Sequence, residues 1–187
     1  MKSSKRSGGS AESVRPEVGI LMGSDSDWPL LGKAVEVLRD FGVCVDVRVM
    51  SAHRTPELAA AYARGASKRG MKVIIAAAGG AAHLAGAIAA NTTLPVIGIP
   101  VEGGALHGLD ALLATVQMPA GIPVATVALG SAGATNAALL AVQIIATGNP
   151  ALAERMKQYK KDLKRKVEAG NARVRKSLQE CGGRSAN

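Results

Sequence analysis

The sequence predicts an α/β protein: a three-layer α/β/α sandwich around a five-stranded parallel sheet, with an extended C-terminal helix. Three observations carry this prediction. Short apolar runs rich in Val, Ile and Ala recur between Val18 and Leu129. Each run ends in a turn containing Gly or Ser and is followed by a stretch of helical composition. The runs are nearly continuous rather than alternating, the pattern of strands covered on both faces.

The elements follow in order. Val18–Met22 reads as the first strand and Trp28–Phe41 as the helix after it, with Pro29 suited to a first turn. Cys44–Val49 and Pro56–Arg69 form the second strand–helix pair, and Lys72–Ala76 and Ala81–Ala90 the third. Val96–Ile99 and Leu109–Val116 form the fourth. The fifth is Val124–Leu129 with a helix at about Ala132–Ala146. Strands alternating with helices at this spacing require crossover connections, hence parallel pairing of the flavodoxin or Rossmann type. Pro150 opens a last helix running from Ala151 to about Ser177. Its apolar positions Leu152, Met156, Tyr159, Leu163 and Val167 make a narrow stripe suited to contact with another subunit.

At 187 residues the chain suits one core-forming domain. Hydrophobic residues at 48% and charged residues at 20% exclude a disordered chain. Only four aromatics occur (Trp28, Phe41, Tyr62, Tyr159), so aliphatic residues build the core and base-stacking platforms are scarce. No apolar run is long enough to span a bilayer, and no signal-peptide segment opens the sequence, so the expectation is a soluble cytoplasmic protein without a membrane partner. Cys44 and Cys181 do not make a disulfide framework.

The net charge of +9 belongs to the chain ends. Residues 1–15 carry four Lys or Arg and one acid, and residues 151–187 carry eleven and four. Residues 16–150 carry eight and nine and are close to neutral. The expected organisation is a disordered basic arm (1–15), a catalytic body (16–150) and a basic helix and tail (151–187). The tail reads as a solvated helix in preference to a nucleic-acid site.

Ligands of open parallel sheets bind outside the carboxyl ends of the strands. All three histidines fall in or beside the loops at that edge. The first loop, Gly23-Ser24-Asp25-Ser26-Asp27, offers hydroxyls and amides to an anion at a helix start, with Asp27 able to accept from sugar hydroxyls. Its competing role is capping, by Ser26 or Asp27. In the second loop, Arg54 offers a planar fork to phosphate or carboxylate and Ser51 an added hydrogen bond. His53 supplies an imidazole, the side chain suited to proton transfer near neutral pH. The alternative reading makes His53 a plain loop residue and Thr55 a helix cap. The third loop, Ala78-Gly79-Gly80, is backbone almost without side chains, open to a planar ligand or serving close helix–strand packing. His83 falls inside the expected third helix and reads as a structural histidine, and His107 receives no role. No metal-ligand spacing, Walker loop, dinucleotide fingerprint or G-x-S-x-G elbow is present.

Together, GSDSDWP at 23–29, SAHRTP at 51–56, AGGAAHLAG at 78–86 and LPVIGIPV at 94–101 resemble the PurE family of purine biosynthesis. LDALLATVQMPAGIPVATVALG at 109–130 and GATNAALLAVQII at 133–145 continue the likeness, which covers about residues 17–150. The resemblance implies a cofactor-free and metal-free isomerase converting N5-carboxyaminoimidazole ribonucleotide to 4-carboxy-5-aminoimidazole ribonucleotide. Direct carboxylation of aminoimidazole ribonucleotide by CO2 is the alternative within the family, and a chain ending without a fused synthetase favours the mutase. A non-catalytic nucleotide-binding scaffold is the alternative outside it. The resemblance assigns Ser24 and Ser26 to the phosphate-side loop, Asp27 to the ribose, and Ser51 and Arg54 to the phosphate. His53 becomes the general acid and base, and Ala78, Gly79 and Gly80 line the pocket for the migrating carboxylate. A homo-octamer with sites where subunits meet is also implied. Ala77, Gly103 and Ala111 depart from the usual family pattern and touch on fine contacts of the pocket.

Overall fold

The computed structural model describes residues 15–182, so nearly all of the arm expected at 1–15 lies outside the described residues. Five parallel strands form one sheet: β1 (Val18–Met22), β2 (Val45–Val49), β3 (Val73–Ala78), β4 (Val96–Pro100) and β5 (Ala125–Thr126). Their spatial order is β2-β1-β3-β4-β5. The helices are α1 (Trp28–Asp40), α2 (Pro56–Ala66), α3 (Leu84–Ala89), α4 (Leu109–Val116), α5 (Gly130–Ala146) and α6 (Pro150–Gly182).

Alternation along the strands sorts the two faces. Leu21, Ile74, Ala76 and Val96 point to the face where α2 and α3 bury Ala59, Ala63, Leu84 and Ile88. On that face Tyr62 donates to Asp46 Oδ2 at 3.1 Å, and burial is the main reason its phenol holds its proton far above the ordinary tyrosine range. Ile20, Met22, Ile75, Ala77, Ile97 and Ile99 point to the opposite face and are also buried. Right-handed crossovers from a sheet of this order place α1 there, and Gly133 of α5 sits over Ile99. Each fully buried Ile or Leu contributes about 1.5–3 kcal/mol.

Three expected elements are shorter than the sequence suggested by more than a residue. α2 ends at Ala66 instead of Arg69, because Ser67–Arg69 tightens into a 3₁₀ turn that left-handed Gly70 (φ 96°) closes. β5 spans two residues instead of six, because after pairing with β4 at Ile97 and Gly98 the chain turns toward α5. α3 starts at Leu84 instead of Ala81, because Gly80 (φ 60°) and Ala82 (φ 47°) take left-handed backbone that a helix cannot contain.

The chain divides into two compact units, one ending at Ala141 and the other beginning at Val142. In the second, α6 is longer than expected. Its Leu152 and Met156 are buried, whereas Leu163 and Val167 farther along the same stripe are exposed.

β4 shows how closely α4 approaches the sheet. A Cβ on Gly98 would overlap Thr115 Cγ2 and come within 2.9 Å of Val124 Cγ1. Gly98→Ala should lower unfolding free energy by about 1–3 kcal/mol, read from urea denaturation. An unchanged midpoint would contradict this packing.

Candidate active site

Parallel register brings the strand ends level. Met22 pairs with both Val49 and Ala77, and Ala78 pairs with Pro100. Backbone bonds extend the ladder by one residue, from Met50 N–H to Met22 O (2.8 Å) and from Val101 N–H to Ala78 O (2.9 Å). The loops after β1, β2 and β3 therefore emerge side by side, and they line one cleft of about 350 Å³. Gly23, Ser24 and Asp27 come from the first loop, Ser51, Ala52, His53 and Arg54 from the second, and Ala78, Gly79, Ala82, His83 and Leu84 from the third.

Hydroxyl groups brace the second loop. Ser51 Oγ accepts from the backbone N–H of His53 (3.3 Å) and Arg54 (3.2 Å). Thr55 Oγ1 accepts from Ser51 N–H (2.9 Å) and donates to Ser51 O (3.1 Å). Thr55 stands at the N-cap of α2 without capping it. The capping role weighed for Thr55 is thus replaced by holding the turn that displays His53 and Arg54. Arg54 Nη2 donates to the Gly23 carbonyl at 2.6 Å, tying the second loop to the first. The other guanidinium donors remain for an anion.

In the first loop Ser24 Oγ accepts from Ser26 N–H (3.3 Å) and caps the short 3₁₀ turn Asp25–Asp27. Asp27 is at the N-cap of α1, but its side chain makes no capping bond. Burial is the largest influence on its carboxyl and raises its pKa above the ordinary carboxylate value. Hydrogen bonds from Ser24 and Ser26 oppose that rise, and the Asp25 charge adds to it.

The third loop corrects the reading of His83. Left-handed Ala82, buried and held by its N–H bond to Gly79 O (3.1 Å), delays α3 and leaves His83 at its N-cap, exposed at the cleft. A non-glycine residue in that conformation costs about 1–2 kcal/mol. His53 Nε2 and His83 Nδ1 lie 2.7 Å apart, with the rings inclined at 78°. His83 therefore lines the cleft against His53 and stands before α3, outside the helix expected to contain it. Gly79 and Gly80 open the turn that Ala82 completes, one residue into the stretch that reads as helix.

Ser24, Asp27, Ser51, His53, Arg54, Ala78 and Gly79 are brought together as expected, while Ser26 and Gly80 lie beside the cleft without lining it. His107, in left-handed backbone after β4, is outside the lining. Among the described residues no cluster of His, Cys, Asp or Glu could hold a metal ion, and no helix is long and apolar enough to cross a membrane.

The profile of the AIR carboxylase family matches residues 17–166. The chain belongs to this family. This AIR carboxylase-family chain is 54% identical over 173 residues to the N5-carboxyaminoimidazole ribonucleotide mutase of Pyrococcus horikoshii, covering 92% of this chain and 94% of that one. It is 56% identical over 146 residues to the phosphoribosylaminoimidazole carboxylase of Saccharomyces cerevisiae, covering 78% of this chain and 25% of that one. A crystal structure of Treponema denticola PurE superposes with a TM-score of 0.77 at 30% identity, covering 86% of this chain and 99% of that one.

Asp27 gives the site a measurable pH dependence. Its carboxyl keeps a proton to higher pH in the folded than in the unfolded state, so stability falls as pH rises through that window. Asp27→Asn cannot ionise and should melt at a higher temperature than the parent at neutral pH. The difference should close toward about pH 3, below the ordinary carboxylate range. A pH-independent difference, or a lower melting temperature at neutral pH, would refute the account of a partly buried carboxylate.

Proposed function

We propose that the cleft converts N5-carboxyaminoimidazole ribonucleotide to 4-carboxy-5-aminoimidazole ribonucleotide. The observation that carries this reading is one imidazole and one guanidinium, His53 and Arg54, displayed on a single braced turn beside the bare wall of Ala78 and Gly79. The relative of nearly equal length named as this mutase supports it.

The chemistry fits one acid–base group. The bond between the exocyclic nitrogen and the carboxylate breaks to give CO2, ring C4 attacks that CO2, and C4 then loses its proton. The net change moves a carboxylate from nitrogen to carbon and a proton from carbon to nitrogen. His53, donating to the nitrogen and then accepting from C4, returns to its starting state. Arg54 and Ser51 hold the substrate phosphate, with Ser24 and Ser26 presenting amides and hydroxyls from the first loop. Asp27 accepts from the ribose hydroxyls, and the Ala78–Gly80 backbone receives the carboxylate.

Retaining CO2 requires a closed, dry site. Within one chain the cleft is open and both imidazoles are exposed. A homo-octamer with sites at subunit contacts supplies the closure. An unpartnered stripe of Leu106, Leu109, Leu113 and Val116, each at least half exposed, supports self-association. We infer a cytoplasmic reaction, because a phosphorylated substrate does not cross membranes and stays in the compartment where it is made. Light scattering on the intact protein should give eight times the protomer mass; a monomer would refute shared closure.

A second reading, direct carboxylation of aminoimidazole ribonucleotide, is favoured by the likeness to the yeast carboxylase. Purified protein should convert the N-carboxylated substrate efficiently and show little product from aminoimidazole ribonucleotide at low bicarbonate; the reverse preference selects the carboxylase. His53→Asn should lower kcat by about 10²–10⁴-fold, and undiminished turnover would remove His53 from the proton transfer.

A further inference from the structure

We propose that His83 is a positioning residue that fixes the tautomer of His53, so that His53 Nδ1 is the nitrogen that gives and takes the proton. The inference deepens the proposed function and rests on it for the role of His53.

The geometry requires an assignment. Two ring nitrogens 2.7 Å apart, His53 Nε2 and His83 Nδ1, share one hydrogen between them. If Nε2–H of His53 is the donor, neutral His53 leaves Nδ1 bare, ready to take a proton. Its protonated form then carries Nδ1–H, ready to give one. In both forms the bond to His83 keeps the same direction, so the ring need not turn over between the two halves of the reaction. If His83 Nδ1–H were the donor, neutral His53 would carry its hydrogen on Nδ1 and have no free lone pair for C4–H. His53 Nδ1 has no partner among the described residues, which leaves it available to substrate.

The chain is built to hold this contact. His53 stands on the turn braced by Ser51 Oγ and Thr55 Oγ1. His83 is set at the start of α3 by left-handed Ala82, a buried residue in a costly conformation that a plain helix entry would not need. The other charged or titratable groups lining the cleft are Asp27 from the first loop and Arg54 from the second. Arg54 is a donor only and is committed in part to the Gly23 carbonyl. Asp27 has hydrogen bonds from Ser24 and Ser26. Neither carries a hydrogen bond to the His53 ring, so the orienting task falls to His83.

The experiment compares the parent protein, His83→Phe and His83→Asn. Phenylalanine keeps a ring and removes the acceptor; asparagine restores an acceptor through Oδ1. His83→Phe should lower kcat about 10- to 100-fold through loss of orientation, with KM changed less than about threefold. His83→Asn should recover most of that loss. Nitrogen-15 NMR of the parent at mildly alkaline pH, without substrate, should show His53 Nδ1 as the bare ring nitrogen and Nε2 as the protonated one, and His83→Phe should mix the two tautomers. A kcat for His83→Phe within about twofold of the parent would overturn the proposal, as would a parent spectrum with the hydrogen on His53 Nδ1. A parent that turns over neither substrate defeats the functional reading instead, while the NMR result still decides the tautomer.

Discussion

The in-register ending of the parallel strands is the constraint on which the site depends. A parallel ladder slipped by one residue would turn every side chain to the other face, and it would also stagger the loops that follow. Here Met22, Val49 and Ala77 share one level, so the loops after β1, β2 and β3 arrive together. Both faces of the sheet are covered, which keeps that register from slipping. The cleft is thus a product of core packing: Leu21, Ile74 and Val96 on one face, and Ile20, Ile75 and Ile97 on the other, hold the edge to which His53, Arg54 and His83 are attached.

Small and hydroxyl residues give that edge its precision. Ser51 and Thr55 close a turn with four side-chain hydrogen bonds and one backbone bond, which brace the backbone that carries His53 and Arg54. Ala78 and Gly79 leave space instead of filling it. The strain at Ala82 turns the chain so that His83 meets His53 rather than continuing as helix. A hydrogen-bonded turn facing a small-residue wall suits a reaction in which a small neutral molecule must stay near the carbon that recaptures it.

Much of this was legible from residue order. The parallel sheet followed from continuous Val, Ile and Ala runs, and their starts are correct within a residue. Seven of the nine expected site residues line the cleft, because strand-end loops are where such sheets bind ligands. Three features were not legible, each for a local reason. Ala82 has a Cβ, so nothing in its identity announces a left-handed backbone, and the helix was extrapolated through it. The six apolar residues from Val124 look like a full strand, but only Ala125 and Thr126 belong to one. Thr55 precedes Pro56 as a cap would, yet its hydroxyl turns back to Ser51. Hydrogen bonds between loops, such as Arg54 to Gly23, join residues too distant in sequence for any spacing rule to pair.

The central claim is that one turn carries both the phosphate anchor and the proton-transfer group, with the heterocycle between them and the small-residue wall. A crystal structure with 4-carboxy-5-aminoimidazole ribonucleotide bound tests it most directly. The account predicts phosphate oxygens on Arg54 and Ser51, and ring C4 within about 3.5 Å of the His53 imidazole. The carboxylate should lie against Ala78 and Gly79. A nucleotide bound with its ring away from His53, or its phosphate held by another part of the chain, would contradict it.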